Sequence, residues 1–240
     1  MTLAGGMETL PSRLAATLVE RGVEIRGVGA ERLSRNDGGG WSVATSDGGA
    51  IAADGVVVAA PAAVASRLVA AVDAVLASEL AGIEYAGSAV VSLGFAREDV
   101  AHPLDAAGVV VPRTEGRRIL AVSFSSSKFP GRAPEGMVLM RVFVGGALDP
   151  DTPKLEDGPL ESLVLDEVRS LLGVRGRPRL VQIDRWHGAM PQYHLGHLDR
   201  LARIDARATA LPGLALAGAA YRGVGIPQVI LSGQTAAARI

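Results

Sequence analysis

Apolar positions change their spacing several times along this 240-residue chain, and each change marks an element. Leu14, Leu18 and Val19 share one face of a helix expected from Ser12 to Arg21, with Gly22 as its stop. Val23–Arg26 alternates and is expected as a strand. Leu33 to Ala60 has the texture of a strand meander. Asn36-Asp37-Gly38-Gly39-Gly40 and Ser46-Asp47-Gly48-Gly49 are turn signals on either side of Trp41–Thr45, and Ile51–Ala53 follows. Asp54–Pro61 is β-branched, apolar on both faces and stopped by proline, the pattern of a buried strand. An alanine-rich helix is expected from Ala62 to about Leu80, interrupted near Asp73.

The texture changes at Tyr85. Ala89–Phe95, Gly108–Pro112, Ile119–Phe124 and Met137–Val144 are successive strand patterns joined by turns rich in Gly, Pro, Arg and Ser, which predicts an antiparallel sheet. Leu160, Leu163, Val164, Val168 and Leu171 recur near the helical period, predicting a helix over Asp157–Leu172 that Gly173 ends. Leu180–Trp186 is a further strand pattern, and His187 to Leu198 reads as a polar loop. After the Pro212-Gly213 turn, Leu214–Ala217 is a short buried-strand pattern. A loop with Gly223 and Gly225 follows, then a helix from about Pro227 with Ser232, Gly233, Ala236 and Ala237 on a small-residue face. A strand, glycine loop and helix N-terminus in that order offer N–H donors and a positive dipole end to an anion or an electron-rich ring, although an ordinary strand-to-helix connection reads the same way.

The expected class is therefore α+β in two bodies. Residues 1–84 and 191–240 form one, and an antiparallel-sheet module, 85–190, is inserted between them.

Composition narrows the chemistry. The chain is 48% hydrophobic, enough for a substantial core, and its net charge of −1 gives no electrostatic case for nucleic acid. It has no cysteine, which removes disulfides, thiol catalysis and thiolate metal sites. The cations are arginines apart from Lys128 and Lys154. No apolar run is long enough to span a bilayer, and no signal-peptide pattern is read. His194-Leu195-Gly196-His197 resembles a two-histidine metal clip, but the intervening glycine and the lack of a third nearby ligand argue against a site, and no metal is expected. Ser123–Ser127 lacks the Gly-x-Ser-x-Gly elbow of a serine hydrolase. Glu156-Asp157 suit the start of a helix as capping residues. Arg132 in a Pro-Gly-Arg-Ala-Pro turn could take a carboxylate or simply be solvated. No residue stands out as a general base, and no catalytic side chain is assigned. That absence suits a reaction whose chemistry a cofactor carries.

Several segments together resemble the C-terminal half of the protoporphyrinogen/coproporphyrinogen oxidases, flavoproteins of the FAD-dependent amine-oxidase superfamily. The matching pieces are Gly5-Gly6-Met7-Glu8-Thr9-Leu10-Pro11, Phe124–Pro134, Val144-Gly145-Gly146, Arg185-Trp186, Met190–His197 and Leu216–Pro227. The Pro-Gln-Tyr-x-x-Gly-His and Tyr-x-Gly-Val-Gly-Ile-Pro runs are the most specific. The resemblance implies a partial FAD-binding domain (Rossmann-like, of the GR2 type) carrying an inserted substrate-binding sheet. It implies an enzyme of haem biosynthesis that oxidises a porphyrinogen to a porphyrin with O2 as acceptor. Gly218, Ala219, Val224, Gly225 and Ile226 carry over as flavin-closing positions and Trp186 as a flavin-packing residue. Ala30 matches a position whose backbone meets the adenine, usually valine in the family. Val110, Ser123 and Phe143 match the porphyrinogen pocket, where the family often has leucine at the first two, so Ser123 makes that wall more polar.

The family's opening strand-Gly-x-Gly-x-x-Gly-helix has no counterpart in this sequence. The partners implied are the porphyrinogen, a separate N-terminal half or a second copy of the chain, and peripheral membrane contact through the missing half of an otherwise cytoplasmic protein. Another amine-oxidase-superfamily flavoenzyme, or a non-catalytic porphyrin-binding module, would carry similar segments.

Overall fold

The computed structural model describes residues 3 and 5–240; Met1, Thr2 and Ala4, which fall in the expected first body, lie outside the described residues. The first helix, α1 (Thr9–Glu20), starts earlier than its apolar pattern and takes Pro11 into its opening turn, where an N–H has no helical partner in any case. None of its residues is buried. The strand expected at Val23–Arg26 pairs with no other strand. Val23 and Ile25 are exposed, and Glu24 and Arg26 pair with each other instead at 2.7 Å. A strand needs a neighbour for its backbone groups, and the described residues place none beside it.

β1 (Ala30–Arg35), β2 (Trp41–Thr45) and β3 (Ala50–Ala53) form the meander, antiparallel in that order. Trp41 is fully buried, and its indole N–H donates to the Pro212 carbonyl at 3.1 Å, joining the meander to the last third of the chain. β4 (Val56–Val58) leads into α2 (Ala62–Val69) and α3 (Ala74–Ala81), and the break between the helices falls where Asp73 signals it. Asp73 caps α3 by accepting from the Leu76 N–H at 2.9 Å.

β5 (Tyr85–Ala96), β6 (Gly108–Val110), β7 (Ala121–Phe124), the single turn α4 (Ser125–Lys128), β8 (Met137–Gly145), α5 (Asp157–Leu172) and β9 (Leu180–Pro191) follow. Their strands build a five-stranded sheet in the order β6-β7-β8-β5-β9, every pair antiparallel. One face packs on α5. Ala89, Val91, Leu93 and Phe95 of β5 and Val138, Met140, Val142 and Val144 of β8 meet Leu160, Val164 and Val168 there. Gly173 ends α5 in the left-handed region, as the sequence predicts. Glu156 makes no side-chain cap; Asp157 in the first turn is instead held by Arg185 at 2.6 Å.

The expected loop over His187–Leu198 is replaced at both ends. β9 continues to Pro191 because β5 is long enough to pair with it, Tyr85 opposite Pro191, with a bulge near Ser88. α6 (His197–Thr209) then begins at the second histidine. Leu201, Ile204 and Ala208 form its only buried stripe, too narrow among charged residues to stand out as a helical pattern.

β10 (Leu214–Leu216) pairs in parallel with β4, Leu214 opposite Val56 and Leu216 opposite Val58. Both faces of this pair are covered. Ala236 of α7 (Ile226–Ala237) packs with Ala215, Ala217 and Val57 on one side. Leu214, Leu216, Val56 and Val58 join a core with Leu33, Leu68, Leu80 and Ile204 on the other. Its two outer edges carry no further strand among the described residues. Parallel strands occur almost always inside larger covered sheets, which sets this two-stranded pair apart. No helix of the described residues is long and apolar enough to cross a membrane.

Candidate functional site

Directly opposite residues of antiparallel strands share a sheet face. On the face away from α5, one cross-strand row runs Val110–Ala121–Phe143–Val90–Asp184. The next row is Gly108–Ser123–Arg141–Ser92–Gln182. On the other side of the first row, Gly145 and Trp186 flank Ser88. Val110, Ser123, Phe143 and Trp186 therefore lie on a single face, although they come from strands far apart in sequence. Val110 is 80% and Trp186 56% exposed, so large apolar side chains stand open there. Arg141, which no motif marks, stands between Ser123 and Ser92 across the strands, two residues from Phe143 on β8, its guanidinium 5.6 Å from the Phe143 ring centroid.

The glycine loop between β10 and α7 is the second part of the site. Gly218 sits at φ 127° and Gly223 at φ 138°, backbone that favours glycine. A Cβ at Gly223 would lie 2.8 Å from Gln228, and one at Gly225 would lie 2.3 Å from the Gln228 amide oxygen, so the loop is drawn tightly onto α7. The Gly218 N–H donates to the Ser232 hydroxyl at 3.0 Å, fixing the other end of the loop to the same helix. Gly225 is the N-cap of α7, and no side chain caps that end. Val224 and Ile226 are each 49% exposed, so the tip of the loop presents apolar side chains beside uncapped N–H groups.

Tyr193 holds this loop from outside. Its hydroxyl donates to the Ala219 carbonyl at 2.5 Å and accepts from the Gly223 N–H at 2.9 Å. Its ring stacks on His197, centroids 4.1 Å apart and planes 13° apart. His197 Nε2 lies 3.0 Å from the Tyr221 carbonyl, an acceptor, so that nitrogen carries the proton. The Pro-Gln-Tyr-x-x-Gly-His run is thus a clasp on the glycine loop. Its sequence signal was the spacing of tyrosine and histidine, but only the fold shows what they grip.

The remaining candidates fall elsewhere. Ala30 opens β1 in the three-stranded meander, a different sheet from the glycine loop. His194 points to Glu84, 3.2 Å away, beside a cavity of about 380 Å³ also lined by Gln192 and Arg200. Arg132 is half-buried and donates to the Leu3 carbonyl at 3.4 Å. Tyr221 is buried, and its hydroxyl has no partner. Burial first, and then the neighbouring Tyr85 and the Asp205 carboxylate, pushes that phenol well above its ordinary range, so it stays protonated.

The whole chain, residues 1–240, matches the family model for flavin containing amine oxidoreductases. The chain belongs to that family. Within it, the chain is 33% identical over 98% of its length to the coproporphyrinogen III oxidase of Bacillus subtilis, covering 49% of that protein. It is 40% identical over 95% of its length to the coproporphyrinogen III oxidase of Propionibacterium freudenreichii, covering 42% of it. The human protoporphyrinogen oxidase is 33% identical across 100% of the chain, with 51% of its own length covered. A crystal structure assigned as a protoporphyrinogen oxidase, from Exiguobacterium sp. 255-15, superposes with a TM-score of 0.85 at 29% identity, over 98% of this chain and 50% of that one. Putrescine oxidase superposes at a TM-score of 0.75 with 15% identity, a likeness of fold alone. This family member is thus a homologue of porphyrinogen oxidases that spans about half the length of the curated relatives it matches.

Proposed function

We propose that this chain is the C-terminal half of an FAD-dependent porphyrinogen oxidase of haem biosynthesis. The observation that carries the reading is identity to coproporphyrinogen III oxidases over 95–98% of this chain and under half of theirs. The two free edges of the β4–β10 pair and the unpaired Val23–Arg26 segment support it, because each could take a further strand that the described residues do not supply. On this reading residues 1–84 and 191–240 complete an FAD domain, and 85–190 form the substrate sheet.

The residues present fit a flavin. An uncapped helix N-terminus favours negative charge on a reduced ring, and Val224 and Ile226 offer apolar contact beside it. Trp186 on the open sheet face is proposed to pack the same ring from the substrate side, and the Ala30 backbone to meet the adenine end. When bound, the flavin supplies the hydride acceptor and passes electrons to O2. The chain's own part is to position and to exclude water. Tyr193 fixes the loop, and Val110, Ala121 and Phe143 form an apolar floor for the macrocycle, with Ser123 as its more polar border.

Co-expression with the complementary half of the Bacillus subtilis coproporphyrinogen III oxidase tests this. The reassembled protein is expected to convert coproporphyrinogen to fluorescent porphyrin faster than either half. A soluble complex that binds flavin and leaves porphyrinogens unoxidised would contradict the substrate assignment.

A further inference from the structure

Arg141 breaks the pattern of the strand that carries it. In β8, Val138, Met140, Val142 and Val144 are buried against α5, while Leu139, Arg141 and Phe143 share the open face. Its cross-strand neighbours are the hydroxyl-bearing residues Ser123 and Ser92, so neither adjacent strand supplies an anion. Arg141 joins no ion pair among the described residues, a lack it shares with Arg35, Arg67 and Arg118; what sets it apart is the face it stands on. The acid on this face, Asp184, lies in the neighbouring row and is engaged by the Gln182 amide at 3.0 Å.

An exposed, solvated guanidinium needs no explanation on an ordinary surface. This face is different, because it carries Val110 and Trp186 in the open beside the half-buried Phe143 and is the proposed floor of the substrate site. Once a macrocycle covers it, water leaves the guanidinium, and an unpaired buried cation is strongly disfavoured. The occupant must therefore bring an anion to this spot. Guanidinium groups pair with carboxylates through parallel N–H···O bonds, and Phe143 steadies the group from one side.

We infer that Arg141 binds a carboxylate side chain of the tetrapyrrole lying on the open sheet face, and so makes that face selective for carboxylate-rich tetrapyrroles. This rests on the porphyrinogen reading above and deepens it. The contact is made equally to substrate and to the reacting species, so it acts on KM more than on kcat.

Fluorescence titration of the 240-residue chain with coproporphyrin, with protoporphyrin and with fully esterified coproporphyrin tests it. Arg141→Gln is expected to weaken coproporphyrin binding about tenfold, the cost of one charge-assisted hydrogen-bonded contact, with protoporphyrin affected less and the ester not at all. Arg141→Lys is expected to recover part of the loss, and Arg67→Gln on α2 to change nothing. Coproporphyrin binding that is unchanged in Arg141→Gln, or an equal loss for the ester, would overturn the role of Arg141 and leave the porphyrinogen reading standing. A wild-type chain that binds none of these tetrapyrroles, alone or with the complementary half, would remove the porphyrinogen reading itself.

Discussion

The hydroxyl of Tyr193 accepts the backbone N–H of Gly223 at 2.9 Å, across 30 residues of sequence. Through its second bond, to Ala219 at 2.5 Å, the same oxygen spans the loop that carries the proposed flavin contacts. Tyr193→Phe keeps the stack on His197 and removes both bonds. The amide of Gly223 is then expected to exchange with deuterium roughly tenfold faster, from a loss of about 1–2 kcal/mol in local opening free energy. The thermal midpoint should move little. Unchanged exchange through 219–225 would show that the loop is held by its packing on Gln228 and the Gly218–Ser232 bond instead.

Asp73 and Glu79 make the chain acid-sensitive. Burial alone would raise the Asp73 carboxyl, but the Leu76 N–H and Arg207 outweigh it and hold it below its ordinary range. For Glu79 the Arg203 hydrogen bond is the main cause of a lowered value, working against burial. As pH falls, the unfolded chain takes up these protons first, so the stability they give is full above the ordinary carboxylate range and is lost below it. Urea midpoints should fall between pH 6 and about pH 3, and Asp73→Asn, which can still cap α3, should flatten part of that slope. Asp73→Ala should cost about 1–2 kcal/mol at neutral pH through loss of the cap. An acid profile identical in Asp73→Asn would contradict the assignment.

Tyr221 buries a hydroxyl without a partner. Removing it in Tyr221→Phe restores no lost bond and relieves a desolvated group, so stability is expected to stay level or to rise by up to about 1 kcal/mol. A loss of more than that, read from the urea midpoint, would mean that the hydroxyl has a partner such as bound water.

The two apolar surfaces differ in what they support. Leu160 of α5 is fully buried in the sheet core, and Leu160→Ala should cost about 2–5 kcal/mol. Leu14 of α1 is 58% exposed, and Leu14→Ala should change the stability of this chain by less than about 0.5 kcal/mol. In a complex with the complementary half the second variant is expected to weaken assembly, as read by co-purification, if α1 is covered there.

Elements with wide, regular apolar patterns were legible before the fold. The meander turns, α5 with its Gly173 stop and the break at Asp73 all rest on local chemistry that needs no tertiary context. α6 was not, because three buried positions among many charges leave too narrow a stripe. Val23–Arg26 reads as a strand by alternation, yet no strand of the described residues lies beside it to pair with. The open face was invisible for a similar reason: Val110, Ser123, Arg141 and Trp186 meet only through strand register. Tyr193 and Ala219 lie far apart in sequence, and nothing local says that one grips the other.

FAD retention tests the central claim most directly. This chain, the complementary half of the Bacillus subtilis relative, and the two co-expressed are each dialysed and their flavin absorbance compared with protein concentration. The account predicts that only the pair keeps stoichiometric FAD, because dinucleotide affinity depends on phosphate contacts at a helix N-terminus that the other half supplies. Stoichiometric flavin on this chain alone, or none on the pair, would contradict it.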